Sequence, residues 1–245
     1  QGDWQRFHAR THSSPRVLSK FHRVADNVSS LPESLAEICD ACQFADGNTF
    51  ASGGTSPEPA HEGAWSIDSL GPLPPSRHGK YRYANIAVNR TNGQCFQFPS
   101  CTRAEMQECR ERLVAHCFRK GLEFHEITSD GAGEMTSGEA VSYLLGKSAA
   151  LNIGCAHEHD NKHAESAIGK LTRMCRAFTV HGLETDQDCD DYWPHAMACA
   201  VQVHNMLPQK VGDVWTSPDL RAGLPRPDAG ILRAPFCDAR VLLQG

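Results

Sequence analysis

Three carboxylates, Asp68, Asp130 and Glu165, stand where short strand-like and helix-like runs end or begin, and together they could hold a divalent metal ion. Asp68 ends the first strand-like run, Asp130 directly follows the fourth, and Glu165 lies in the first turns of a long helical pattern. If the first and fourth strands are sheet neighbours, Asp68 and Asp130 sit side by side. Two carboxylates ~4 Å apart repel by about 4 kcal/mol at an effective dielectric near 20, so three converging anions need a cation. An all-oxygen cluster selects hard ions, Mg²⁺ or Mn²⁺. A pair of them ~3.5–4 Å apart can clamp the attacking and leaving oxygens of a phosphoryl displacement. The same residues also suit a plainer reading: Asp130-Gly131 is an ordinary turn dipeptide, and the chain offers 29 acidic residues.

A second constellation is His8, His12, Cys39 and Cys42. It reads H-x₃-H, a 26-residue gap, then C-x₂-C, the ligand count and spacing of a closed tetrahedral zinc site. A fragment of ~45 residues needs such a staple to fold. With 13 His and 11 Cys in the chain, chance pairs also occur, and a lone C-x-x-C can be redox-active.

The elements that must position these residues follow from periodicity. Residues 45–63, rich in Gly, Ser, Thr, Pro and Asn, read as a linker. Strand-like runs follow at 64–68, 81–89 and 94–99, the last two separated by Arg90-Thr91-Asn92-Gly93, whose Asn-Gly is a hairpin signal. Three consecutive antiparallel strands are expected. Met106, Cys109, Leu113 and Cys117 share one face of a helix over 102–120. A strand is expected at 124–129, a helix at 137–146 and a strand at 150–155. A helix over 160–180 carries Ala164, Ile168, Leu171, Cys175 and Phe178 as an apolar stripe, and a last one runs from 191 to 206 with Pro194 in its first turn. The order β-β-β-α-β-α-β, then helices, gives a mixed α/β fold behind a small N-terminal module.

Several of these runs resemble the integrase region of copia-type retrotransposon polyproteins. Asp68-Ser69-Leu70-Gly71-Pro72-Leu73-Pro74 is similar to that family's Asp-x-x-Gly-Pro-Leu-Pro, and Gly79-Lys80-Tyr81-Arg82-Tyr83 to its Gly-x-Arg-Tyr. Residues 129–137, Ser-Asp-Gly-Ala-Gly-Glu-Met-Thr-Ser, resemble its Ser-Asp-Asn-Gly-Gly-Glu-Phe-Thr-Ser. Asn161-Lys162-His163-Ala164-Glu165 resembles Asn-Gly-x-Ala-Glu, Asn205-Met206-Leu207-Pro208 resembles Asn-Arg-Leu-Pro, and Thr216-Ser217-Pro218-Asp219-Leu220 resembles Thr-Pro-Tyr-Glu-Leu. Thirty-four residues lie between Asp130 and Glu165, one fewer than is usual there.

The resemblance implies an RNase H-like mixed sheet flanked by helices, with an HHCC zinc-binding module over 1–45, a linker over 46–63, a catalytic core over 64–222 and the start of a C-terminal region over 223–245. It implies that Asp68, Asp130 and Glu165 hold two Mg²⁺ or Mn²⁺ ions of a DDE-type polynucleotidyl transferase. That enzyme would process 3′ ends of element DNA and join them to target DNA. Structural Zn²⁺ would sit on His8, His12, Cys39 and Cys42. The partners implied are double-stranded DNA, both element ends and target, and further copies of the chain, in a virus-like particle in the cytoplasm and in the nucleus. Gly131 where Asn is usual, Lys162 where Gly is usual and Gly169 where a basic residue is common depart from the pattern. They leave open a second reading, a decayed or domesticated module that binds nucleic acid or protein without catalysis.

Composition limits the alternatives. Hydrophobic residues at 40% and charged residues at 22% fit a packed globular chain. No apolar run approaches the ~18–20 residues of a membrane span, and no membrane role is expected. The chain begins Gln-Gly-Asp without Met and reads as a piece of a longer product. An odd cysteine count argues against a complete disulfide framework. The net charge of −5 means that DNA contacts must come from local clusters. Residues 1–30 carry Arg6, Arg10, Arg16, Lys20 and Arg23 against Asp3 and Asp26, either a solvated basic face or a DNA contact. Lys162, Arg173 and Arg176 fall on the side of their helix near Glu165, where they could hold phosphate or simply be solvated.

Overall fold

The computed structural model describes residues 2–33, 39–46, 62–129, 142–144, 146–147, 149–153 and 161–236. The expected strands form one five-stranded sheet in the order β3-β2-β1-β4-β5, made of Ala64–Leu70 (β1), Tyr83–Asn89 (β2), Cys95–Ser100 (β3), Glu126–Ser129 (β4) and Ala150–Ile153 (β5). β1, β2 and β3 are antiparallel neighbours, whereas β4 lies parallel to both β1 and β5. The mixed sheet therefore changes direction at β1. Its hairpin is closed by the Asn92-Gly93 turn: Gly93 takes φ +77°, the left-handed region in which glycine carries no steric penalty. There Asn89 N–H donates to Gln94 O at 2.8 Å.

Period-two alternation divides the sheet between two cores. Trp65 and Ile67 of β1, Ala87 of β2 and Ile127 of β4 pack with Met106, Cys109, Leu113 and Cys117 of the helix Met106–Lys120 (α4). The intervening residues Ala84, Ile86 and Val88 face the opposite core, built on the helices Lys162–Gly182 (α5) and Asp186–Met206 (α6). Asp68 is paired with Ile86, so it belongs to the α5 face of the sheet.

The N-terminal segment consists of Gly2–Thr11 (α1), Pro15–Leu18 (α2), a 3-10 turn at Phe21–Arg23 and Asp40–Asp46 (α3). Trp4, Phe7, Leu18, Phe21 and Val24 are buried in the same cluster as Phe178 of α5 and Trp193 of α6. Residues 226–229 close over it. Asp26 N–H donates to Pro227 O at 2.9 Å, Ala229 N–H returns a bond to Asp26 O at 3.0 Å, and Arg226 pairs with Asp26 at 2.9 Å.

Several element ends differ from expectation: β2 begins at Tyr83 and β4 at Glu126, each two residues late. β1 continues past Asp68 to Leu70. The last long helix starts at Asp186, so Pro194 lies well inside it and not in its first turn. Thr185 caps this helix by accepting Asp188 N–H at 3.1 Å, and Asp186 and Asp188 suit the positive end of the dipole. The missing proline N–H loosens the ladder locally, and the nearby Asp191 carbonyl accepts Arg77 N–H at 3.0 Å. Most of the helix expected at 137–146 lies outside the described residues, and 142–144 are helical.

After α6 comes a short hairpin, Gln209–Val211 (β6) with Val214–Thr216 (β7), and a turn of helix at Pro218–Arg221 (α7). The Asn205 motif has a structural use. Its side-chain oxygen accepts Cys95 N–H at 2.8 Å and its amide donates to Cys95 O at 2.9 Å, covering the free edge of β3 as another strand would. Asp219 similarly accepts the side-chain amide of Gln94 at 2.9 Å.

Candidate functional site

The four zinc-type residues meet. One ligand atom from each of His8, His12, Cys39 and Cys42 lies within 4.8 Å of all the others. His12 Nδ1 is 3.6 Å from Cys39 Sγ and 3.4 Å from Cys42 Sγ, and His8 Nε2 is 3.6 Å from Cys42 Sγ. A tetrahedral zinc ion about 2.3 Å from sulfur and about 2.0 Å from nitrogen separates such atoms by about 3.5 Å. These residues therefore fit a structural zinc.

Local structure explains the fit. His8 and His12 fall one turn apart, and His12 N–H still donates to His8 O at 2.6 Å. His12 itself adopts φ +46°, an uncommon conformation for a side chain with a Cβ, which ends α1 at the point where its ring meets the sulfurs. Cys39 precedes α3 and Cys42 lies in its first turn. His8 Nδ1 contacts Ser13 O at 3.0 Å, which holds the proton on Nδ1 and turns Nε2 inward. Trp4 stacks on the other face of the His8 ring, with centroids 4.7 Å apart. Burial lowers the pKa of both imidazoles, His12 to about 3; His8, His181 and Arg173 add to the effect on His12, whereas on His8 the bond to Ser13 O opposes burial and His181 and Arg173 add to it. A neutral imidazole is the form that binds metal.

The carboxylate site is assembled from the other direction. Asp68 is half-buried in β1, where its Oδ1 accepts Ser69 N–H at 2.7 Å. Asn161, buried at the start of α5, does not cap its own helix. Its side-chain amide instead donates to Ile67 O at 3.0 Å, tying the helix start to the residue before Asp68. Glu165 is exposed in that first helical turn. The β1–β4 register pairs Ile67 with Ser129, the residue before Asp130. Asp130 itself lies outside the described residues. Arg90, paired with Glu126 at 2.9 Å, contributes to the lowered pKa of His163 in the same helical turn, although burial is the larger cause.

Of the three cations expected near Glu165, Lys162 shares its helical turn and is half-buried, and Arg176 is exposed further along α5. Arg173 lines a small cavity together with Trp4, Ser13 and the four His/Cys residues. Sequence reasoning did not single out Asn161 as a tether, although it stands at the head of the Glu165 motif. It also missed Ser13, whose carbonyl orients His8; nothing in the spacing of the ligands marks it.

The chain matches no protein-family model and no curated protein sequence. Among the described residues, no helix is long and apolar enough to cross a membrane.

Proposed function

We propose that the chain is an integrase-type polynucleotidyl transferase of the copia kind, acting on double-stranded DNA by metal-assisted phosphoryl transfer. The observation that carries the reading is the Asn161–Ile67 hydrogen bond, which brings the helical turn bearing Glu165 to the strand bearing Asp68. Asp68 belongs to the sheet face that α5 covers, and this function requires Asp130, the residue after Ser129 in sequence, to reach the same face. The fitted His/Cys cluster, ahead of such a sheet, supports the same family.

In this reading Asp68, Asp130 and Glu165 hold Mg²⁺ or Mn²⁺, which when bound would acidify a water and neutralise a leaving oxygen. The protein's own contribution is placement: β1 carries Asp68, and Asn161 ties to that strand the helix that bears Glu165. Lys162 and Arg176 bind the DNA backbone beside them without reading sequence. A 3′-hydroxyl then displaces the target phosphodiester in line, with no covalent protein intermediate.

The test is a joining assay on the full chain with Mg²⁺ or Mn²⁺ and blunt duplex ends. Strand-transfer product that disappears in Asp130→Asn is expected. Failure of the unmutated chain with every metal and DNA end, or product unaffected by Asp130→Asn, refutes the transferase reading.

A further inference from the structure

Between Asp68 and Glu105 the chain contains Arg77, Lys80, Arg82, Arg90 and Arg103 and no Asp or Glu. A protein with a net charge of −5 thus concentrates one sign in a single run. Arg90, at the end of β2, is neutralised by Glu126 at 2.9 Å. The other four belong to the opposite end of the hairpin. All four are exposed, and none forms an ion pair among the described residues. Two carboxylates in the adjoining elements bond to neutral groups and not to these cations: Asp191 accepts the Gln187 amide at 3.0 Å, and Glu105 accepts the N–H groups of Cys101 and Thr102, each at 3.1 Å.

The loop over 71–82 that bears three of these cations is held from inside and out. Buried Ser76 organises it, its hydroxyl donating to His78 O at 2.6 Å and accepting Tyr81 N–H at 3.1 Å. Leu73 N–H donates to Arg82 O at 2.7 Å. Trp193 of α6 donates its indole N–H to Pro74 O at 3.0 Å, and the Cys101 thiol donates to Gly79 O at 3.1 Å. That last contact, with Arg82 N–H donating to Ser100 O at 2.9 Å, seats the turn bearing Arg103 against the loop. Gly79, at φ +77°, lies under the Tyr81 ring, where a Cβ would come within 2.3 Å. A solvated surface usually mixes the two signs, whereas this loop presents like charges on a fixed backbone. A polyanion that tracks along it gains electrostatic attraction without ordering the loop first.

We infer that loop 71–82, with Arg103, is a backbone track for duplex nucleic acid that leads away from the end of β1. Its chemistry is phosphate recognition by Arg77, Lys80, Arg82 and Arg103, indifferent to base sequence. Leu73, the backbone partner of Arg82, lies five residues beyond Asp68. At ~3.3 Å per residue Leu73 lies within ~17 Å of the Asp68 backbone, about five base pairs along a duplex. The inference rests on the proposed function for where the reacting phosphate lies, but not for the binding itself.

Fluorescence anisotropy on the full chain tests it, with a 30-base-pair duplex of arbitrary sequence, 50–200 mM KCl and no added Mg²⁺ or Mn²⁺. Each phosphate contact contributes about 0.9 to the slope of log affinity against log salt. Arg77→Gln/Lys80→Gln/Arg82→Gln should lower that slope by about two to three and weaken binding at least tenfold at 100 mM KCl. The charge-matched variant Arg112→Gln/Arg119→Gln/Lys120→Gln, on the exposed side of α4, should change it by less than one. Equal effects of the two variants overturn the inference, as does an unchanged slope in the loop variant, which would leave the patch to an acidic protein partner. A loop variant that melts earlier than the parent is replaced by Lys80→Gln alone, for which a slope change near one is required. Loop-dependent binding without strand transfer refutes the transferase reading and keeps the track; strand transfer with loop-independent binding does the reverse.

Discussion

Stripping zinc from the His8–His12–Cys39–Cys42 cluster should destabilise the whole chain and not merely its first forty-odd residues. The reason is the continuity of the core: Trp4, Phe7, Leu18 and Phe21 are buried together with Phe178 and Trp193, so a loosened α1 and α3 uncover α5 and α6. An ion that binds only the folded state at a thousand times its dissociation constant contributes about 4 kcal/mol. For a chain of this size each kcal/mol moves Tm by about 2–4 °C, so chelation should lower Tm by about 8–16 °C. Scanning calorimetry before and after treatment with a strong chelator, with zinc add-back and elemental analysis, measures both quantities. One zinc per chain and a single shifted transition are expected. Cys42→Ser, which removes a sulfur lying 3.4 Å from His12 Nδ1, should lose most of the metal. A chelated protein that melts within about 2 °C of the loaded one refutes the reasoning, since a ΔTm that small corresponds to about 1 kcal/mol or less. So does a Cys42→Ser chain that retains full zinc.

Asn205→Ala should cost about 2–3 kcal/mol, because it strands both the N–H and the carbonyl of buried Cys95, and urea denaturation at fixed zinc reads the loss. Burial, with the Lys170 charge adding and a bond to Gly93 O opposing, lowers the pKa of His204 to about 4. The folded value lies below the unfolded one near 6.5, so the unfolded chain takes up the proton first. The stability held above pH 6.5 is then lost as pH falls towards 4, by up to about 3 kcal/mol. His204→Gln should therefore flatten the fall in Tm between pH 7 and 4.5, and a fall as steep as the parent's counts against this.

Local signals carried the sheet. Asn92-Gly93 closes the expected hairpin, and the alternation through Ala84, Ile86 and Val88 divides the two cores. The α5 stripe was equally readable, because Ala164, Leu171, Cys175 and Phe178 are all buried. The start of α6 was not, since its Asp-rich first turns look like a loop until Thr185 is seen to cap them. Pro194, read as an N-terminal signal, is tolerated inside the helix beside a carbonyl that bonds to the loop over 71–82. Long-range packing left no periodic trace either: nothing local in Phe7 or Phe21 announces a shared core with Phe178. At the site, the zinc spacing was legible because both ligand pairs are local, one turn of helix and one C-x₂-C. The reach of Asn161 to Ile67 joins residues 94 apart in sequence and became visible only in the fold. Asp130 lies outside the described residues, so its place in the triad stands as a proposal.

Manganese binding tests the central claim most directly. Titration of the zinc-loaded chain with Mn²⁺, followed by electron paramagnetic resonance in the presence of duplex DNA, should show ions bound at a site that Asp68→Asn, Asp130→Asn and Glu165→Gln each weaken at least tenfold. Mn²⁺ binding that survives Glu165→Gln undiminished would show that the helix carboxylate does not meet the strand carboxylates, and would contradict the account.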